Sequence, residues 1–452
     1  MGKLFGTDGV RGVAGRDLTC ELAMQIGRAT AAVLTGLDGH RPRILIGKDT
    51  RVSGDMLECT LAAGLCSVGA DVDLLGVIPT PGVAYLVRQY GADAGIVISA
   101  SHNPMEFNGI KIFKGDGYKL PNEVENEIER HIFNGCKDIK LCEGAGIGRV
   151  RRLDCAVDDY VDALQAHIDA DLSGLNVLFD CANGASAKVA QKLFPRLGCQ
   201  CGFIGTRDDG VSVNDGCGST HLETLEKAVV AGGYDCGIAF DGDADRCLAV
   251  DEKGGIITGD HILYVCGKYM KDSGILGNKK IVTTVMSNLG LYKALDEIGI
   301  GYEKTAVGDK YVAENMRSNG HILGGEQSGH IIFGRLASSG DGLLTAIKIM
   351  EAMCESKQPL SVLASPVVMY PQVLKNVVVD DKDEALNDPE VKAEVEKIGA
   401  ELGSEGRVLL RKSGTEPLLR IMVEAGSAET CNACVDRIIE AMKRCGRLIA
   451  VK

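Results

Sequence analysis

Short apolar runs bounded by turn residues alternate with amphipathic stretches along most of the chain. The short runs are typical of buried strands, and the stretches with apolar residues every three to four positions are typical of helices. Strands are predicted over 43–47, 71–75, 95–98, 110–113, 176–180 and 280–285, and helices over 55–68, 81–89, 123–133, 157–168, 187–193, 221–231, 261–270, 291–298, 343–354 and 429–445. In the first part of the chain this alternation favours a parallel sheet with helices on its faces.

One pattern recurs four times: an apolar strand, a polar loop and a second apolar strand. The four loops carry Ser101, Asp241, Glu326 and Ser413. A chain of 452 residues is long enough for three or four domains. We therefore predict an α/β fold with four domains, namely three α/β units with mixed sheets and a smaller C-terminal α+β domain, around a central active-site cleft. The predicted boundaries are 1–150, 151–255, 256–366 and 367–452.

Composition narrows the class of protein. The formal net charge of −13 argues against binding to nucleic acid or to an acidic membrane surface, because both need basic surface. We expect a cytoplasmic protein, since the N-terminus lacks a secretory pattern and no apolar run approaches membrane-spanning length. The 17 cysteines are expected to be reduced and mostly buried. Cys431 and Cys434 form a CxxC without a second pair nearby, so a structural role is favoured over a zinc site.

The stretch IVISASHNPMEFNGIKIF, residues 96–113, places Ser101 in a polar loop at a strand end, where reactive groups are commonly held. The alternative is a turn whose hydroxyl only caps the backbone. Earlier in the chain, GTDGVRG at 6–12 predicts a mobile loop in which Arg11 meets an anion.

The loop DGDADR contains Asp241, Asp243 and Asp245 at alternate positions. If the loop is extended, the three carboxylates share one face and repel each other, which raises their pKa values unless a divalent cation binds. Oxygen ligands suit Mg²⁺. An EF-hand calcium loop is the competing interpretation, but the flanks here are predicted strands rather than helices. Arg246 adds a positive charge directly after the triad.

Two further loops have the residues of a phosphosugar site. RKSGTEPLLR has hydroxyl and backbone N–H donors between two guanidinium groups, which suits a phosphate, although it is not a P-loop. GGEQSGH has a carboxylate and a hydroxyl for sugar hydroxyls and a histidine for proton transfer. The candidate residues are Arg411, Ser413, Gly414, Thr415 and Arg420 in the first loop, Glu326, Ser328 and His330 in the second, and Asp309 and Lys310 in VGDKYV.

Taken together, ISASHNP, DGDADR, GEQSGH and RKSGTEPLLR resemble the phosphoserine, metal, sugar and phosphate loops of the α-D-phosphohexomutase family, in order and over the whole chain. The departures are Ala244, where the family often has Gly, and Lys412, where Pro is common. The residues of GTDGVRG, GGEQSGH and SGTEP are most similar to those of the bacterial branch of the family, which acts on amino sugars.

The resemblance implies an isomerase that interconverts glucosamine 6-phosphate and glucosamine 1-phosphate through glucosamine 1,6-bisphosphate. Ser101 would carry the phosphoryl group and, with the three aspartates, hold one Mg²⁺. Lys111, with a depressed pKa, would be the general base, His330 the second proton-transfer group, and Arg11 a catalytic anion contact. Arg246 and the residues of the sugar and phosphate loops would bind substrate.

Other functions stay open at this point. They are a mutase for mannose or glucose phosphates, a phosphosugar hydrolase and a non-catalytic binding protein. The partner is expected to be a small phosphosugar. The sequence leaves the oligomeric state open, with a homodimer among the options. Reorientation of a bisphosphate predicts a hinge of the fourth domain near residues 365–370.

Overall fold

The computed structural model describes residues 4–6, 8–38, 40–168, 170–413 and 418–451. Within these residues the chain forms four β-sheets, and it divides into two compact units. The first unit comprises Met1–Met286 and Gly299–Pro366, and the second comprises Ser287–Ile298 and Val367–Lys452. None of the described helices is both long and apolar enough to cross a bilayer.

The first sheet contains six strands in the order β1-β5-β4-β2-β3-β6. Its elements are β1 Val10–Val13, α1 Cys20–Asp38, β2 Arg43–Lys48, α2 Ser53–Ser67, β3 Asp71–Val77, α3 Thr80–Gln89, β4 Ala94–Ile98, β5 Phe107–Lys114, α4 Asn122–Phe133 and β6 Val150–Arg152. β2, β3, β4 and β6 are parallel, whereas β5 pairs antiparallel with both β4 and β1. Because Lys48 pairs with Ile98, the chain leaves β2 and β4 at the same edge of the sheet.

Three features of this region differ from the sequence analysis. Val10–Val13 is a strand paired with β5, so this part of the GTDGVRG segment is not the mobile loop that we predicted. The connection predicted over 135–152 contains β6, which pairs with β3. α1 was not predicted. The sheet is mixed, as the predicted fold class states, because β5 runs antiparallel to both of its neighbours, β4 and β1.

The second sheet has the order β11-β10-β9-β7-β8. Its elements are α5 Ala156–Gln165, β7 Asn176–Asp180, α6 Ser186–Arg196, β8 Gln200–Ile204, α7 Glu223–Gly232, β9 Cys236–Phe240, β10 Cys247–Asp251 and β11 Ile256–Ile257. β9 is buried along its whole length, and its apolar side chains on both faces hold it between helices and core. The acidic loop begins where β9 ends, so the most buried strand of the sheet positions it.

The third sheet has the order β13-β12-β14-β15. Its region contains α8 Gly259–Asp272, β12 Lys280–Thr284, α9 Leu289–Glu297, β13 Gly301–Thr305, α10 Asp309–Asn319, β14 Leu323–Gly325, β15 Ile331–Phe333, α11 Gly342–Ser356 and α12 Leu360–Ala364. β14 and β15 pair antiparallel, and all residues of both strands are buried. The loop with Glu326 and His330 connects them.

The second unit contains the fourth sheet, in the order β17-β18-β16-β19. Its elements are β16 Gln372–Val379, α13 Lys382–Asn387, α14 Pro389–Leu402, β17 Arg407–Lys412, β18 Leu418–Glu424, α15 Ala428–Arg444 and β19 Leu448–Val451. α9 packs within this unit. Its first residue, Leu289, donates its backbone N–H to Glu424 Oε2 at 3.0 Å. With four α/β regions, the last of them the smallest, the predicted fold class is confirmed.

Candidate active site

Ser101 follows β4 and has a backbone φ of +54°. Left-handed backbone costs a residue with a side chain about 1–2 kcal/mol, so neighbouring contacts must hold it there. One contact is with Ser99, whose Oγ accepts the Ser101 N–H at 2.9 Å. The Ser101 hydroxyl is buried and donates to Asp241 Oδ2 at 2.5 Å. The structure thus places the predicted phosphoserine position against the acidic loop.

A buried arginine that sequence reasoning missed holds this loop. Arg51 follows β2, has a fully buried side chain, and its Nε donates to Asp49 Oδ2 at 2.9 Å. Its two terminal nitrogens donate to four backbone carbonyls of the loop, those of Ser101 (3.0 Å), Asn103 (2.7 Å), Pro104 (2.5 Å) and Phe107 (3.0 Å). The planar guanidinium can satisfy four acceptors at once, which no other side chain could do. Asp-x-Arg directly after a buried strand is the signal that could have identified it.

The second domain region also contacts the Ser101 loop. Asn214 Nδ2 donates to the carbonyls of Ser101 at 2.8 Å and Asn103 at 3.1 Å. Gly242 lies so close that a Cβ built on it would be 2.6 Å from the Ser101 carbonyl oxygen. Glycine at 242 is therefore required for the approach of the two loops, which is the close-backbone use of this residue.

The three aspartates of the acidic loop converge. Asp241, Asp243 and Asp245 are buried, and one oxygen from each lies within 4.8 Å of the others. The loop is a turn, not the extended segment that we predicted, because the Ala244 N–H donates to the Asp241 carbonyl at 3.0 Å and Ala244 has a φ of +54°. Glycine would adopt the left-handed backbone at position 244 at less cost than alanine, because it has no Cβ. The turn, rather than strand alternation, brings the carboxylates together.

The electrostatics of the triad fit a divalent cation. Burial, and after it Asp245 and Asp243, raise the pKa of Asp241 well above 3.8. Oδ1 of Asp243 and Oδ1 of Asp245 are buried without a hydrogen-bond donor. Buried carboxylate oxygens without a donor are costly, and hard cations such as Mg²⁺ take such ligands. The residues present therefore fit Mg²⁺.

Lys111 lies on β5 and contacts this triad. Its Nζ is 2.7 Å from Asp243 Oδ2 and 3.2 Å from Asp245 Oδ2. Burial lowers the pKa of Lys111, but Asp243, Asp8 and Asp245 outweigh burial and raise it well above 10.5. The depressed pKa that we predicted for Lys111 is therefore wrong for the protein without a cation. The nearest charged neighbours of Lys111 are carboxylates, which stabilise its ammonium form.

Two arginines and a histidine lie at the Ser101 loop and the acidic loop. The Arg11 guanidinium, on β1, donates to Asn103 Oδ1 at 3.1 Å, and the backbone N–H of Arg246 donates to Asp241 Oδ1 at 3.1 Å. Burial and the charges of Arg246 and Arg11 lower the pKa of His102 to about 4. His102 Nδ1 is 3.3 Å from Ser101 Oγ. His102 is therefore neutral near pH 7, and the two guanidinium groups supply positive charge for an anionic substrate.

The loop between β14 and β15 approaches the triad through His330. Its Nδ1 is 3.6 Å from Asp245 Oδ1, and its Nε2 accepts the Gly340 N–H at 2.9 Å. Burial lowers the pKa of His330, but Asp245 and other carboxylates raise it to about 9. The bond from Gly340 opposes protonation because it needs the lone pair on Nε2. The carboxylates on both sides of the ring and the Gly340 N–H therefore act in opposite directions on the protonation of His330, and the carboxylates have the larger effect on its pKa.

The remaining predicted residues of this loop region lie in the first unit as well. Glu326 is half-buried, its Oε1 accepts the Gly308 N–H at 3.1 Å, and burial raises its pKa. Ser328 is half-buried in the same loop. Lys310 Nζ contacts Leu120 O at 3.1 Å, Asn122 Oδ1 at 2.8 Å and Glu125 Oε2 at 3.2 Å. An ammonium has three donors, so an anion would have to displace one of these partners.

In the second unit, Arg411 and Arg420 face each other across β17 and β18. Burial and the charge of Arg420 lower the pKa of Arg411. Two adjacent guanidinium groups repel each other, and a phosphate between them would relieve this repulsion. Ser413 is buried directly after β17, and its N–H donates to the Leu418 carbonyl at 3.0 Å. The other two predicted members, Gly414 and Thr415, lie outside the described residues.

The chain matches four domains described for phosphoglucomutase/phosphomannomutase enzymes. Alpha/beta/alpha domain I matches residues 2–138, domain II residues 158–255, domain III residues 258–370 and the C-terminal domain residues 374–441. These matches follow one another in the order of the four sheets and cover most of the chain.

Individual proteins agree with these matches. The chain is 53% identical to a phosphoglucosamine mutase of Oceanobacillus iheyensis, over 98% of this chain and 99% of that one. It is 51% identical to a phosphoglucosamine mutase of Lachnoclostridium phytofermentans, over the full length of both. The structure is similar to the crystal structure of a phosphoglucomutase/phosphomannomutase family protein from Burkholderia thailandensis, with a TM-score of 0.83, 25% identity and 98% of each chain covered. The chain therefore belongs to the phosphoglucomutase/phosphomannomutase family of phosphohexomutases.

Proposed function

We propose that the protein is a phosphoglucosamine mutase, an isomerase that interconverts glucosamine 6-phosphate and glucosamine 1-phosphate. The observation that carries the proposal is the 2.5 Å contact between the Ser101 hydroxyl and Asp241, beside a buried triad of carboxylates. The choice of an amino sugar is supported by the names of relatives that are 50–53% identical. Mannose or glucose phosphates are the second candidate, supported by the family match alone.

The reaction starts with a phosphoryl group on Ser101 Oγ. O1 of glucosamine 6-phosphate attacks phosphorus while the bond from phosphorus to Ser101 Oγ breaks, which gives glucosamine 1,6-bisphosphate and the free hydroxyl. After reorientation, Ser101 Oγ attacks the 6-phosphoryl group while the bond from phosphorus to O6 breaks, the serine proton is transferred to O6, and glucosamine 1-phosphate leaves. Such transfers depend on in-line positioning and charge stabilisation. Arg51 and Asn214 position the nucleophile through their hydrogen bonds to the Ser101 carbonyl. The positive charges of Arg11 and Arg246 offset the phosphoryl charge.

Asp241, Asp243 and Asp245 would hold one Mg²⁺, with an oxygen of the Ser101 phosphate as a further ligand. The ion supplies Lewis-acid polarisation of the transferred group. Lys111 keeps the predicted role of accepting the O1 proton, and a cation held by the triad would offset the carboxylate charge that favours its ammonium form. His330 is the alternative acceptor.

We also propose a division of work among the other residues. Glu326 and Ser328 bind sugar hydroxyls, and Lys310 binds substrate by exchanging one of its protein partners. Arg411, Ser413 and Arg420, together with Gly414 and Thr415, bind whichever phosphate is not being transferred. The domain boundaries 1–150, 151–255, 256–366 and 367–452, the hinge near 365–370 and a cytoplasmic location are further parts of the proposal, and a homodimer is compatible with it.

The test is a parallel assay on glucosamine 6-phosphate, mannose 1-phosphate and glucose 1-phosphate, with catalytic glucosamine 1,6-bisphosphate, with Mg²⁺ and after chelation. We expect the highest kcat/KM on the amino sugar and no turnover without Mg²⁺. Equal kcat/KM on a hexose phosphate would refute the substrate, and release of free phosphate would indicate a hydrolase.

Intact-mass measurement separates the enzyme from a binding protein. The wild type should carry one phosphoryl group after incubation with the bisphosphate, and Ser101→Ala should carry none and be inactive. A Ser101→Ala variant with wild-type turnover would contradict the proposed role of this residue.

A further inference from the structure

Six side chains of the first unit form a closed ring in which carboxylates alternate with basic nitrogens; we refer to it as the charge ring. The ring runs Asp245–Lys111 (3.2 Å), Lys111–Asp8 (3.1 Å), Asp8–Lys119 (2.6 Å), Lys119–Asp309 (2.5 Å), Asp309–His330 (3.7 Å) and His330–Asp245 (3.6 Å). Its members come from the regions of the first three sheets, and Lys111 among them lies on β5 and Asp309 at the start of α10. It contains both proton-transfer candidates and one ligand of the proposed cation.

Three members, Asp8, Lys119 and Asp309, have no role in the proposed function, and Lys119 bridges the other two. Its side chain is 15% exposed. Its Nζ lies between Asp8 Oδ1 and Asp309 Oδ2, so one ammonium offsets two carboxylates that would otherwise repel each other. Asp8 in turn contacts Lys111, and Asp309 faces His330. Lys119 is therefore linked to both proton-transfer candidates through one carboxylate each.

The backbone at Lys119 is also held in place. Lys119 pairs with Phe113 in an isolated bridge beyond the end of β5. Two residues earlier, the Gly117 carbonyl accepts the Ser338 hydroxyl at 2.6 Å. Gly117 has a φ of +79°, and a Cβ there would lie 2.6 Å from the Ala84 carbonyl oxygen. These contacts fix the backbone next to Lys119, which distinguishes it from a lysine in an unconstrained surface loop.

We propose that Lys119 is a positioning residue for phosphoryl transfer, acting through Asp8 on Lys111 and through Asp309 on His330. The inference rests on the proposed mutase function. Without the ammonium group, Asp8 and Asp309 would move apart and draw Lys111 and His330 away from Asp245. Misplacement of reacting groups by about 1 Å can cost on the order of 10²-fold in rate.

The test compares Lys119→Met, which keeps the length but not the charge, with Lys119→Arg, which can reach both carboxylates. We expect Lys119→Met to lower kcat about 10- to 100-fold with KM changed less than about threefold, because positioning acts on the transfer step. Lys119→Arg should recover most of this loss. Lys119→Met combined with Asp309→Asn should be more active than Lys119→Met alone, because the uncompensated carboxylate is removed.

The matched control is Arg317→Met. Like Lys119 and Asp309, Arg317 and Asp116 form an ion pair between α10 and the region of the first sheet, here at 3.7 Å. This pair lies outside the charge ring. Equal losses of kcat in Lys119→Met and Arg317→Met would overturn the proposal in favour of simple adhesion between these parts. A raised KM with unchanged kcat in Lys119→Met would overturn it in favour of direct substrate contact. Absence of mutase activity in the wild type would instead refute the proposed function.

Discussion

Substitution of Arg51 tests most directly how the Ser101 hydroxyl is held in position. Arg51→Met keeps much of the side-chain volume but removes the donors to four loop carbonyls and the partner of Asp49. Breaking a buried ion pair from one side costs about 3–5 kcal/mol. The left-handed backbone at Ser101, which stores about 1–2 kcal/mol, would then relax and move the hydroxyl away from Asp241.

We therefore expect two separate effects of Arg51→Met. The melting temperature should fall because Asp49 is left buried without its cation, and kcat should fall at least about 10²-fold because Ser101 is misplaced. The assays are a thermal melt, mutase turnover with glucosamine 1,6-bisphosphate, and intact-mass detection of the phosphoryl group on Ser101.

A double variant separates these effects. Arg51→Met combined with Asp49→Asn removes the stranded carboxylate, and the Asn amide oxygen can still accept the Ser99 hydroxyl that Asp49 now accepts. It should regain most of the stability but not the activity, because the loop carbonyls still lack their donors. Turnover by Arg51→Met within about threefold of wild type would refute the reasoning, since positioning effects are expected to be far larger.

Three further predictions concern pH, metal and backbone approach. Burial raises the pKa of Asp341 to about 6, so the stability that its protonated form contributes is complete below 3.8 and is lost as pH rises through about 6. The free energy of unfolding of Asp341→Asn, relative to wild type, should thus be about 3 kcal/mol higher near pH 8 than near pH 4 by urea denaturation, and a relative stability that does not change with pH would contradict this. The pKa of Asp241 is raised above 3.8, so a proton competes with the cation, and the rise in melting temperature caused by Mg²⁺ should grow from about pH 5 to 8 relative to NaCl of equal ionic strength. Equal rises at both ends would speak against a cation on this carboxylate. Gly242→Ala should lower kcat about 10²-fold because its Cβ would press on the Ser101 carbonyl, whereas Gly36→Ala, with nothing near the added carbon, should not; equal activities would show that the loops can separate without cost.

The local pattern of apolar residues predicted much of the fold, because a buried strand or a buried helix face requires apolar residues at a fixed spacing. β7 was predicted with its observed bounds, Asn176–Asp180. α1 was missed although Cys20–Asp38 has a helical apolar period. β1 and β6 were missed because they are short edge strands, whose pairing with β5 and β3 depends on distant parts of the chain.

The sequence by itself determined which chemical groups stand in the loops at strand ends: the Ser101 hydroxyl, the acidic triad, and the arginines beside them. Only the tertiary structure decided what those groups do to one another. Without a cation the pKa of Lys111 is raised, because Asp8 and Asp243 come within about 3 Å of it in space although they lie far from it in the chain. Coulomb energy depends on that through-space distance, and sequence separation does not report it.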